Sequence, residues 1–183
     1  VYKTSASKPD VVAEYLIEKF KAVDFAIGDF NADGRKEIAV TDGKDIMFFT
    51  YYGGKFMPYY TFKGPWNGKF VDISAGDFNG NQVDELFVTN KPGNFTQLLV
   101  YEFNNQKSEL KEIFATKNQY ATVVMYNREK YLLSQKYGFT NPFSGNIFRM
   151  LWTGNKLTGK KINFPDVDSV YGFQPLDLTG DGI

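Results

Sequence analysis

Short runs of apolar, β-branched and aromatic residues recur along the whole chain, each broken after a few positions by Gly, Asn or Asp. Such runs predict strands, because a strand needs only a brief extended segment whose side chains alternate between two faces. In the clearest unit they fall at Phe25 to Phe30, Glu37 to Thr41, Asp45 to Tyr52 and Lys55 to Phe62. Further runs at Leu98 to Phe103 and Ile147 to Trp152 end, like Met47 to Tyr52, in turn dipeptides: Asn104-Asn105, Gly154-Asn155 and Gly53-Gly54. One stretch departs from this pattern. Asp10 to Phe20 carries apolar residues at helical spacing behind an Asp suited to a helix cap, and reads equally as a helix or as an outer strand of a preceding unit.

The runs repeat. Residues 23–41 and 71–89 share nine identities in nineteen positions at a shift of 48, among them the string Gly-Asp-Phe-Asn at Gly28 to Asn31 and Gly76 to Asn79. A third copy of the loop motif opens at Asp177, 100 residues beyond Asp77, so an intervening unit should lack it. That unit is read at Thr122 to Met125 and Tyr131 to Leu133, joined by a plain turn at Tyr126-Asn127-Arg128-Glu129, with Ile147 to Trp152 in the same sheet. Four strands per unit of about 50 residues suit the blade of a β-propeller, and stacked-hairpin solenoids usually run on shorter periods. The expected organisation is all-β, a single propeller segment over 1–183, with blades at about 23–70, 71–119 and 120–168, a further blade starting at 169–183, and 1–22 as a lead-in or outer strand. Three units and a start do not close a ring of six or seven blades, so the natural chain is expected to continue and the open blade edges to offer a route to assembly.

Composition narrows the chemistry. Lys+Arg and Asp+Glu both number 21, so no net charge draws the chain to nucleic acid. Cysteine and histidine are absent, which removes disulfides, thiol nucleophiles, and the commonest general base and zinc ligand. No apolar run is long enough to span a membrane. Neither catalysis, a nucleic-acid partner nor a membrane span is expected.

The loops are the candidate sites. Asp29, Asn31, Asp33 and Glu37 put oxygen side chains at loop positions 1, 3, 5 and 9, with Gly34 at the turn and the Arg35 carbonyl at position 7. Ca²⁺, a hard ion that takes six to eight oxygens, suits that spacing, and without it the three carboxylates would repel. Asp77, Asn79, Asn81 and Glu85, with the Val83 carbonyl, repeat the spacing, but Asn81 replaces a carboxylate and Gln82 the glycine. Weaker binding is expected there. The third loop offers Asp177, Thr179 and Asp181 and ends at Ile183 before a position 9. The competing reading is that Asp and Asn form Asx turns without any ion.

Gly28 to Gly34 followed by Glu37-Ile38-Ala39-Val40 resembles the FG-GAP/VCBS repeat, the blade unit of integrin α-subunit heads and of bacterial envelope propellers. The resemblance implies a propeller, structural calcium at Asp29, Asn31, Asp33 and Glu37, and an extracytoplasmic setting in which the chain binds or scaffolds proteins. A lectin-like glycan-binding role is the alternative, with Trp66, Trp152, Tyr51, Tyr52, Tyr59 and Tyr60 as ring platforms. Such aromatics more often fill the wedge between blades. Lys19, Lys21, Lys160 and Lys161 read as solvated surface, and Asn94-Phe95-Thr96 fits a glycosylation sequon.

Overall fold

A computed structural model describes residues 2–4, 9–11, 15, 20–126, 129–136, 146–154 and 156–162. Every regular element among them is a strand. β1 (Tyr2–Thr4) pairs with β2 (Pro9–Val11), so Asp10 lies in a strand. The rest of the 12–19 stretch, apart from Tyr15, lies outside the described residues.

The other strands form three four-stranded antiparallel sheets, each a meander in chain order. The first holds β3 (Asp24–Gly28), β4 (Glu37–Thr41), β5 (Asp45–Tyr52) and β6 (Lys55–Lys63). The second holds β7 (Phe70–Gly76), β8 (Glu85–Asn90), β9 (Gln97–Asn104) and β10 (Glu109–Lys117). The third holds β11 (Gln119–Tyr126), β12 (Glu129–Lys136), β13 (Ile147–Thr153) and β14 (Lys156–Ile162). The unit without the carboxylate loop motif therefore builds its sheet as its periodicity requires, with Thr122 opposite Leu133 and Leu132 opposite Met150. Its turn residues Asn127 and Arg128 lie outside the described residues.

The first strand differs from its sequence reading. It ends at Gly28, and Phe30 belongs to the following loop. The reason is local: the Asp29 N–H donates to the Asp84 carboxylate at 2.8 Å and the Asp29 carbonyl accepts the Asp84 N–H at 2.8 Å. The backbone bonds that would have extended the β3 ladder go to the second sheet. Phe30 instead turns inward, buried edge-on against Phe48 at 5.2 Å, as Phe78 meets Phe87 at 5.3 Å. Ala39 pairs with Phe48 where Phe87 pairs with Val100, so a large and a small residue exchange places beneath the loop.

Register makes the packing of the sheets comparable. Phe25, Val40 and Met47 lie side by side across the first sheet, as do Ile73, Val88 and Leu99 in the second and Val123, Leu132 and Met150 in the third. The second row packs against Ala26, Ala39 and Phe48 of the first sheet, and the third against Phe87, Leu98 and Val100 of the second. Each fully buried aliphatic side chain in these rows contributes roughly 1.5–3 kcal/mol. The first sheet's own row is less covered at Phe25, which is 60% exposed where Ile73 is 3%, while on the same face Phe49 is buried with Tyr15 packed on it at 5.2 Å. Close approach explains the repeated glycine before the loop, since a Cβ at Gly28 would stand 3.0 Å from the Cβ atoms of Ala75 and Asp84.

Polar groups also bridge the sheets. Asp24 accepts the Ile73 N–H at 2.7 Å, and Asp72, its counterpart one repeat later, accepts the Tyr120 hydroxyl at 3.1 Å.

Candidate metal loops

Both complete loops fold alike. In the first, Asp29 accepts the N–H groups of Asp33 and Gly34 at 3.2 and 2.9 Å, Asn31 accepts that of Asp33 at 2.9 Å, and Asp33 that of Arg35 at 2.8 Å. In the second, Asp77 accepts from Gly80 and Gln82 at 2.7 and 3.0 Å, Asn79 from Asn81 at 3.0 Å, and Asn81 from Val83 at 2.9 Å. These are Asx-type turns, which account for positions 1, 3 and 5 by themselves.

They do not account for position 9. Glu37 and Glu85 open β4 and β8 opposite Gly28 and Gly76, and both side chains are fully buried. In each, Oε2 accepts a loop N–H, that of Phe30 at 3.0 Å or Phe78 at 2.8 Å, while Oε1 is buried with no hydrogen-bond partner. Burial, reinforced by Asp33 and Asp29, pushes the Glu37 carboxyl up to about 7. Burial, reinforced by Asp77 and Glu102, pushes Glu85 up to about 7 as well. A buried carboxylate with a free oxygen among like charges is costly unless a proton or a cation neutralises it. The donor sets fit a hard cation: three acids and an amide at the first loop, two acids and two amides at the second, with backbone carbonyls at hand. Among the described residues no three acidic side chains already converge as a ready-made cage. An ion here would draw the oxygens in from their turn hydrogen bonds.

The glycine difference between the loops cancels. Position 4 and position 6 are left-handed in both: Ala32 at φ 58° and Gly34 at 81° in the first, Gly80 at 79° and Gln82 at 71° in the second. Each loop has one glycine and one strained side chain, in exchanged places. Gln82 is therefore no special handicap to the second loop, contrary to the expectation from sequence.

Two further residues matter that spacing alone did not single out. Glu102 on β9 accepts the side-chain amides of Asn79 and Asn81 at 2.9 and 2.6 Å, bringing a carboxylate to the loop that lost one. Tyr59 on β6 stands near the first loop. Burial, with the charges of Glu37, Asp33 and Asp29, pushes its hydroxyl well above the usual tyrosine range. The advance signal for Glu102 was an acidic residue near the end of β9, whereas Tyr59, in the middle of β6, was readable only as an aromatic of the strand.

Other candidates take ordinary places. Tyr59 and Tyr60 pack on Phe103 at 6.0 and 5.2 Å, filling the wedge between the first two sheets, and Trp152 packs on Phe114 at 6.3 Å. Tyr51 and Tyr52 are exposed, Tyr51 against Phe56 and Tyr52 beneath the Arg35 guanidinium at 6.0 Å. Trp66 is 91% exposed. Lys21, Lys160 and Lys161 are exposed, and Thr96 of the sequon is buried. Asp177, Thr179 and Asp181 lie outside the described residues, as does Lys19. No described helix is long and apolar enough to cross a membrane.

No curated protein matches the chain. Residues 29–88, which run from the first loop through most of β8 and include both complete loops, match the family of the FG-GAP-like repeat. That match covers about a third of the chain; with the repeated four-stranded sheets it supports an FG-GAP repeat protein, and the repeat suggests a scaffold for protein interaction.

Proposed function

We propose that this chain is a segment of a calcium-clipped β-propeller that acts outside the cytoplasm as a non-catalytic scaffold for protein partners. The observation that carries the calcium reading is the pair Glu37 and Glu85, buried alike and each with an unpartnered Oε1. A cation there would satisfy that oxygen and relieve the repulsion among Asp29, Asp33 and Glu37, or among Asp77, Glu85 and Glu102. Asp29, Asn31, Asp33, Glu37 and the Arg35 carbonyl would hold one ion; Asp77, Asn79, Asn81, Glu85 and the Val83 carbonyl would hold another. The ion's part is structural, fixing the hairpin that joins the first two strands of each blade.

The exposure of Phe25 supports the propeller, because its counterpart Ile73 is buried against the preceding sheet. Weak hairpin sites load best where calcium is millimolar, which favours an extracytoplasmic setting. A glycan-binding role has less support, since Tyr59, Tyr60 and Trp152 are occupied in packing.

Isothermal titration of the chain with Ca²⁺ tests the reading. Uptake at two sites is expected, one lost in Asp29→Ala and the other in Asp77→Ala. No heat of binding at millimolar Ca²⁺ would refute it.

A further inference from the structure

We propose that Glu102 is the positioning residue of the second calcium loop: it holds the Asn79 and Asn81 amides so that both oxygens face the ion. The inference rests on the calcium reading above.

Both amide nitrogens donate to the same Oε2 of Glu102, at 2.9 and 2.6 Å. The two Oδ1 atoms are thereby turned into the loop, where they accept the N–H groups of Asn81 and Val83 at 3.0 and 2.9 Å. Flipping either amide would set a carbonyl oxygen against the carboxylate and an NH₂ against a backbone N–H, so the ligating orientation is the only one that satisfies both sides. A carboxylate at position 5 needs no such guide, since its two oxygens are equivalent. That is the case in the first loop, where Asp33 stands at position 5. The strand position corresponding to Glu102 there is Thr50, the residue after Phe49, which pairs with Ile38 as Tyr101 pairs with Leu86. Asp33 with Thr50 has become Asn81 with Glu102, and the count of carboxylates around the loop is restored to three.

An independent observation marks the loop as a ligand site. The Glu85 carboxylate is fully buried, tied to the loop through the Phe78 N–H at 2.8 Å, and its Oε1 is unpartnered.

The test uses the chain carrying Asp29→Ala, which silences the first loop, titrated calorimetrically with Ca²⁺. Adding Glu102→Ala should weaken the remaining site about tenfold, as expected for loss of an outer-sphere partner. Adding Asn81→Asp to that variant should restore it, because the new carboxylate needs no orientation and returns the charge. Melting in chelator should be the same with and without Glu102→Ala, which separates positioning from a general structural role. An unchanged affinity in Glu102→Ala, or a loss that Asn81→Asp fails to rescue, overturns the proposal. If the Asp29→Ala chain takes up no calcium while the parent does, the proposal fails and the calcium reading survives for the first loop alone.

Discussion

Asp84 receives Lys36 at 2.8 Å across the junction of the first two sheets, from the same place in the repeat that Lys36 occupies 48 residues earlier. The repeat has put opposite charges at equivalent positions, and adjacent units join them. Asp84 also takes Lys130 of the third sheet at 3.1 Å and the Asp29 N–H at 2.8 Å, so one side chain, 5% exposed, ties three sheets. Burial alone would raise its pKa; Lys36, the Asp29 N–H and Lys130 together hold it below the usual carboxylate range.

Asp84→Ala should therefore cost about 2–4 kcal/mol, mostly by leaving the Asp29 N–H and the Lys130 ammonium without their partner, since the exposed Lys36 adds little. Its contribution is present above the ordinary carboxylate pKa and fades as pH falls through the depressed value in the folded state. Urea melts at pH 7 measure the cost. A change under about 0.5 kcal/mol, in the range of ordinary surface substitutions, would show that the three-sheet tie is incidental.

The exchanged strain of the two loops gives a paired expectation. Ala32→Gly and Gln82→Gly should each stabilise the chain, by about 0.5–1 kcal/mol, because the relief of a left-handed side chain outweighs the greater freedom of glycine when unfolded. Equal gains support the finding that both loops share one backbone conformation. A gain at Gln82 with a loss at Ala32 would contradict it.

Asp72 carries a pH dependence of its own. Burial and the nearby charge of Asp24 push its carboxyl up to about 7, and the hydroxyls of Tyr120 and Thr122 only partly offset them. With a folded pKa above the unfolded one, its stabilising effect is complete below about pH 4 and is lost as pH rises through 7. Asp72→Asn keeps an acceptor for Tyr120 and removes the charge. The variant should match the parent near pH 4 and exceed it by about 1–3 kcal/mol at pH 8. Equal stability at pH 8, by chemical denaturation, would sink this account.

Most strands were legible in the sequence because their alternation and turn residues are local signals; β4 and β5 stand where those signals put them. The end of β3 was not, because Asp29 spends its backbone bonds on Asp84, a residue 55 positions away. The ligand spacing of the loops could be read directly. The burial of Glu37 and Glu85, the approach of Glu102 and the bridging role of Asp84 could not, since each depends on which strand ends the sheets bring together. Gln82 was misjudged for a similar reason: its left-handed φ has a counterpart in Ala32, and only the backbone reveals the exchange.

The central claim, that a cation belongs beside Glu37 and Glu85, is tested most directly by thermal melts of the parent and of Glu37→Gln/Glu85→Gln at pH 8, each with Ca²⁺ and with chelator. In chelator the parent must keep two buried carboxylates ionised above their folded pKa, so the double variant should melt at the same temperature or higher. With Ca²⁺ at about 100 times its dissociation constant each site adds about 2.7 kcal/mol to the parent. The order should reverse. Parent and variant that keep the same order in calcium and in chelator would contradict the claim and leave the loops as Asx turns without an ion.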